Sequence, residues 1–120
     1  MNKKLREKVW LKYDKHCAYC GQVIEYKDMQ VDHLVPKINP YSTEDFDNLM
    51  PSCRSCNHYK RAEKLDSFRN HLLGELHLRL TKEYTVKVAI DYGIVKLQPF
   101  DKVFYFEKVS KQEERITDGK

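Results

Sequence analysis

Four cysteines arranged as two C-x-x-C pairs, Cys17-Ala-Tyr-Cys20 and Cys53-Arg-Ser-Cys56, constrain this chain more than any other feature. Each pair fits one tight turn, and two such turns brought together offer four thiolates in the tetrahedral set that zinc prefers. In an oxidising compartment the same residues could form disulfides. However, the N-terminus, Met1-Asn-Lys-Lys-Leu-Arg-Glu-Lys, has no apolar run typical of a secretory signal, and no segment is apolar enough to span a membrane. A reducing, cytoplasmic setting is therefore expected, and with it a metal staple rather than disulfides. A staple also suits the size. The 120 residues make one domain's worth of sequence, with 33% charged residues against 41% apolar ones, so the core is modest.

Hydrophobic periodicity organises the rest. Leu5, Val9 and Tyr13 at four-residue spacing predict an amphipathic helix over residues from about 2 to 15. Cys17 to Gly21 is the first metal knuckle. Met29 to Val35 is a short strand ended by Pro36, and Lys37 to Asp47 a polar loop. Leu49 and Met50 form a return strand stopped by Pro51, and a helix runs from Arg54 to about Arg61. Asp66 or Ser67 can cap a further helix with Phe68, Leu72, Leu76 and Leu80 on one face. Tyr84 to Tyr92 is ambiguous: Tyr84, Val86, Val88 and Ile90 alternate as in a strand, yet Gly93 suits a helix C-terminus. Val103 to Phe106 reads as a C-terminal strand. The expected organisation is a finger with its N-terminal helix over residues 1–64, a helical and strand extension of the same domain over 65–110, and a loose polar tail over 111–120.

The dipeptide Asp32-His33 lies inside the loop that the metal would close, and folding alone does not explain it. Hydrolysis of a phosphodiester needs a base to take a proton from water and a cation to neutralise charge on the phosphate and leaving oxygen. Histidine titrates near neutral pH and is the economical base. Aspartate offers the hard oxygen that Mg2+ favours. Neighbours on a strand point to opposite faces, so the two side chains can serve different partners. A second ligand must come from elsewhere, and Asn57, directly behind the last cysteine, is well placed.

The run Cys17-x-x-Cys20, Val31-Asp32-His33-Leu34-Val35-Pro36, Asp47-Asn48-Leu49 and Cys53-x-x-Cys56-Asn57-His58-Tyr59-Lys60 resembles the HNH endonuclease family, in the four-cysteine variety found among phage and bacterial nucleases. The likeness covers residues 17–61. It implies an α+β fold: a ββα-metal (His-Me) finger stapled by zinc at Cys17, Cys20, Cys53 and Cys56, with flanking helices and a short C-terminal strand. It further implies His33 as general base, a catalytic Mg2+ or Mn2+ held by Asp32 and Asn57, a structural hydrogen-bonding role for Asn48 within the catalytic set, and DNA as substrate. Family sequences place the functional residue directly after the last cysteine, which selects Asn57. His58, about 100° further round the helix, is the second choice or a phosphate contact.

The net charge of +4 is mild, but its distribution is informative. Arg54, Lys60, Arg61 and Lys64 gather beside the proposed site, where a polyanion needs counter-charge, and Arg54, Lys60 and Arg61 are the candidate nucleic-acid contacts. Two further classes stay open at this stage. A non-catalytic zinc module that binds nucleic acid would account for the cysteines and basic clusters but gives Asp32-His33 no role. An interaction subunit would use residues 65–110 to dock a partner. The chain is short for extensive base readout, so it is expected to have low sequence specificity or a protein partner that supplies it.

Overall fold

The structure is a computed structural model that describes residues 1–110. The tail expected over 111–120 lies outside the described residues. Two compact units divide the described residues: one comprises Met1–Lys64 together with residues 103–110, the other Leu65–Lys102. Residues 103–110 thus belong with the finger rather than with the extension. No helix among the described residues is long and apolar enough to cross a membrane.

In the first unit, α1 spans Lys3–Leu11. Asn2 caps it: its side-chain oxygen accepts from the Leu5 amide at 2.8 Å and satisfies one of the free N–H groups of the first turn. The helix stops short of the expected residue 15, because Asp14 and Lys15 take left-handed backbone angles (φ 52° and 68°) and turn the chain. The inner face of α1 buries Val9, and the long side chains of Arg6, Trp10 and the C-cap residue Lys12 donate to main-chain oxygens of the segments beneath. Trp10 Nε1 reaches Ile24 O at 2.8 Å, Arg6 reaches Tyr26 O and Met29 O at 3.0 and 2.6 Å, and Lys12 Nζ reaches Phe46 O and Leu49 O at 2.9 Å each. Two of those carbonyls, Tyr26 O and Phe46 O, also accept the main-chain amides of Met29 and Leu49, so these side chains tie the start of the chain to the turns that flank the small sheet.

The sheet has two antiparallel strands, β1 (Gln30–His33) and β2 (Leu49–Ser52), with Asp32 opposite Met50 and His33 opposite Leu49. Contrary to the sequence expectation, Pro51 does not stop the return strand. It pairs with Val31 inside β2. In a two-stranded sheet each strand has one free edge, so a residue without an N–H costs no ladder bond there. The Pro51 carbonyl is still used, accepting from the Ala18 amide at 2.8 Å and drawing the first cysteine turn onto β2. Helix α2 (Arg54–Lys60) follows at once, with Cys53 as its N-cap.

The C-terminal strand expected at 103–106 is absent; residues 105–110 are helical. The first amides of that helix donate to the cysteine turn, Tyr105 N to Tyr19 O at 3.1 Å and Phe106 N to Ala18 O at 2.8 Å. The alternation of aromatics that suggests a strand instead reflects packing. Phe104 is buried, Tyr19 meets its ring edge-on at 5.6 Å, and Phe106 lies 6.3 Å from Tyr19. His16 stacks on Tyr105 at 5.1 Å and stands apart from the thiol set.

The second unit is helical: α3 (Leu65–Asn70), a π-helical turn (His71–Leu76), α4 (His77–Lys82) and α5 (Tyr84–Asp91). Helix α3 already begins at Leu65, so Asp66 lies in its first turn rather than capping it. The ambiguous stretch from Tyr84 is a helix, with Glu83 accepting from the Val86 amide at its start and Gly93, at φ +73°, turning the chain at its end.

Candidate active site

The four cysteine sulfurs lie within 4.8 Å of one another. Gly21, at φ +83°, closes the first turn with its amide on Cys17 O at 3.0 Å, and the Cys53 amide approaches Cys17 Sγ at 3.4 Å. A tetrahedron with metal–sulfur bonds of about 2.3 Å has edges of about 3.8 Å. The Cys20–Cys53 sulfur distance is 3.8 Å, so the donor set fits a thiolate metal centre. Hydrogen bonds from Cys20 and Cys56 hold the Cys17 thiol well below its ordinary range, while the bond to Cys17 pushes Cys20 up to about 11. Four sulfurs packed this closely resist carrying charge together until a cation joins them.

Asp32 and His33 end β1, and both are buried. With Val31, Pro36, Lys37, Ile38, Arg61 and Ala62 they line a cleft of about 420 Å3. His33 Nε2 lies 2.8 Å from the Glu44 carboxylate, whose side chain is 69% exposed and therefore free to swing away. Asp32 Oδ2 accepts from the Tyr19 hydroxyl at 2.5 Å and lies 2.9 Å from the Lys60 ammonium. Burial, with the Asp32 charge next in weight, holds the Tyr19 phenol well above its usual range, so it remains a donor.

Asn48, just ahead of β2, is buried and fully engaged. Its Oδ1 accepts the Val35 amide at 2.7 Å, and its Nδ2 donates to Thr43 O at 2.8 Å and to Val35 O at 3.3 Å. It closes the loop between the strands and does not face the cleft.

Asn57 is partly exposed on α2 and opens, with Gln30, Arg54 and His58, onto a second hollow. Its side chain makes no hydrogen bond among the described residues. Asp32 and Asn57 therefore border different depressions. Arg54 and Arg61 are exposed. Lys60 corrects the reading of it as a surface phosphate contact: it is wholly buried against Asp32. Cys56 faces the sulfur cluster, and a residue four positions later shares its helix face, so the inward direction of Lys60 was available from spacing. Tyr19 and Glu44 are site residues that sequence reasoning missed.

Three comparisons with known proteins bear on this geometry. The HNH endonuclease family model matches residues 17–63. Residues 17–63 belong to the HNH endonuclease family. The HNH segment is 41% identical over 44 residues to the CRISPR-associated endonuclease Cas9 of Corynebacterium diphtheriae and 43% identical over 44 residues to that of Actinomyces naeslundii. Each match covers 37% of this chain but 4% of the relative, so the likeness concerns one small segment of a far larger protein. A crystal structure of the Type II-C Cas9 enzyme from Actinomyces naeslundii superimposes with a TM-score of 0.50 and 30% identity, over 55% of this chain and 8% of that one. The α+β architecture and the clustered cysteines agree with the HNH segment, and the family likeness supports a nuclease.

Proposed function

We propose that the chain is a metal-dependent endonuclease that hydrolyses DNA phosphodiester bonds, with zinc on the four cysteines as a structural staple. The observation that carries this reading is the cleft shared by Asp32, His33, Lys37 and Arg61: an acid, a base and two cations around one opening. His33 takes the proton from the attacking water, after Glu44 has released its Nε2. Arg61 and Lys37 hold the phosphate, and Arg54 extends the basic border along α2. A divalent cation such as Mg2+ or Mn2+, when bound, supplies charge neutralisation at the phosphate and at the leaving oxygen. Asp32 is its anchoring ligand. Mg2+ keeps several waters, so Asn57, with His58 as second choice, can serve through the neighbouring hollow. Asn48 contributes by holding the loop beside the base.

The test is incubation of supercoiled plasmid with the zinc-loaded protein and Mg2+ or Mn2+, with EDTA and His33→Ala as controls. Nicking or linearisation that requires the added cation, and that falls by about two to four orders of magnitude in His33→Ala, is the expected result. Binding without cleavage under every cation would turn the reading to a nucleic-acid-binding zinc module.

A further inference from the structure

Both polar contacts to the Asp32 carboxylate fall on the same oxygen. The Tyr19 hydroxyl donates to Oδ2 at 2.5 Å, and Lys60 Nζ lies 2.9 Å from that atom. Oδ1 has no partner among the described residues. The two contacting groups are among the most deeply buried in the molecule, Tyr19 at 3% exposure and Lys60 at 0%. Burying an ammonium is costly without a partner, and this one finds no acceptor at a hydrogen-bonding angle, so its neutralisation rests on Asp32. The tyrosine ring is held edge-on by Phe104 and Phe106, and its residue lies between Cys17 and Cys20 in the metal knuckle. Neither group lines the cleft; Asp32 does.

We propose that Tyr19 and Lys60 are positioning residues that fix Asp32 through Oδ2 and reserve Oδ1 for the divalent cation. The inference rests on the reading above that Asp32 is a cation ligand. Its physical content is preorganisation. An aspartate free to rotate must be ordered when the cation arrives, whereas one held from behind by a hydroxyl and an ammonium presents a fixed oxygen. The zinc knuckle, by carrying Tyr19, becomes part of the support of the second metal site.

Mn2+ titration followed by electron paramagnetic resonance, on the zinc-loaded full chain and its Tyr19→Phe variant, tests this without DNA. Phenylalanine keeps the ring among Phe104 and Phe106 and removes only the donor. The Mn2+ dissociation constant should rise about tenfold, the scale of one hydrogen bond to a charged group, with zinc content unchanged. In cleavage assays the metal concentration for half-maximal rate should carry most of the effect. Unchanged or tighter Mn2+ binding in the zinc-replete variant overturns the inference alone. A wild type that takes up no Mn2+ removes the metal reading of Asp32 and the inference with it. Should the variant lose its zinc, the wild type remains decisive: the buried Tyr19 hydroxyl proton should keep its downfield NMR signal when Mg2+ is added, and loss of that signal overturns the clamp.

Discussion

Asn48 grips Val35 from both sides, accepting its amide at 2.7 Å on Oδ1 and donating to its carbonyl at 3.3 Å through Nδ2. The pairing, reinforced by the Leu34 amide on Asn48 O at 2.9 Å, brings the chain just beyond His33 against the start of β2. The side chain is buried, so loss of its amide leaves the Val35 N–H and Thr43 C=O without partners. Asn48→Ala should cost about 2–3 kcal/mol in denaturant unfolding. Asn48→Asp keeps the acceptor and loses the donor, so it should be intermediate in stability.

Gly21 and Gly93 have similar backbone angles and opposite surroundings. Both have positive φ, +83° and +73°. A Cβ on Gly21 would lie 2.7 Å from Tyr105 Cδ1, whereas one on Gly93 meets nothing within 4 Å. Gly93→Ala should therefore cost only the left-handed backbone penalty, about 1 kcal/mol. Gly21→Ala should add overpacking of about 1–3 kcal/mol and loosen the metal knuckle, seen as faster zinc release to a chromophoric chelator. Equal destabilisation of the two variants would show that the Tyr105 contact carries no weight.

The parts of this site that were legible in the sequence are those set by local spacing. The cysteine pairs, the Asp32-His33 dipeptide and the residue after Cys56 each depend on neighbours a few positions away, periodicity identified α1, and local pattern placed a strand and a helix where β1 and α2 lie. What was not legible depends on how separate elements meet. Nothing in the string Cys-Ala-Tyr-Cys tells Tyr19 that its hydroxyl will find Asp32, thirteen residues on; that follows from the Ala18 amide docking on Pro51 and from the sheet register. Likewise, the residues from 103 on alternate like a strand, but their amides are taken by Tyr19 and Ala18 carbonyls at a helix start, and tertiary contact overrides propensity.

Removal of metal from the cysteine cluster should unfold the first unit rather than soften it. The cysteine turns tie α2, β2 and the 105–110 helix to one another through short hydrogen bonds, and the unit's buried apolar side chains are few. Purified without chelator, the chain should carry one zinc, measured by atomic emission. Dialysis against a strong chelator should abolish the near-ultraviolet dichroism of the Tyr19, Phe104 and Phe106 cluster, and zinc should restore it. Retained dichroism in metal-free protein would mean that the apolar core alone carries the fold.

Lys60 and Asp32 offer a double-mutant cycle with an unambiguous sign. Removing the lysine alone as Lys60→Met leaves a carboxylate of 9% side-chain exposure without its counter-charge. Breaking a buried pair from one side costs about 3–5 kcal/mol, because the surviving charge has lost its compensation. Asp32→Asn strands the ammonium instead and should cost a similar amount. The double variant, Asp32→Asn with Lys60→Met, retains no buried charge in this pair, so its cost should fall well below the sum of the two single changes, with a coupling energy of about 1–3 kcal/mol in urea unfolding. Tyr19 can still donate to the new amide oxygen, which keeps the hydroxyl satisfied in both arms of the cycle that carry the Asp32→Asn change. Additive costs, with no recovery in the double variant, would mean that the 2.9 Å contact contributes nothing to stability and that Lys60 is buried for its hydrocarbon stem alone.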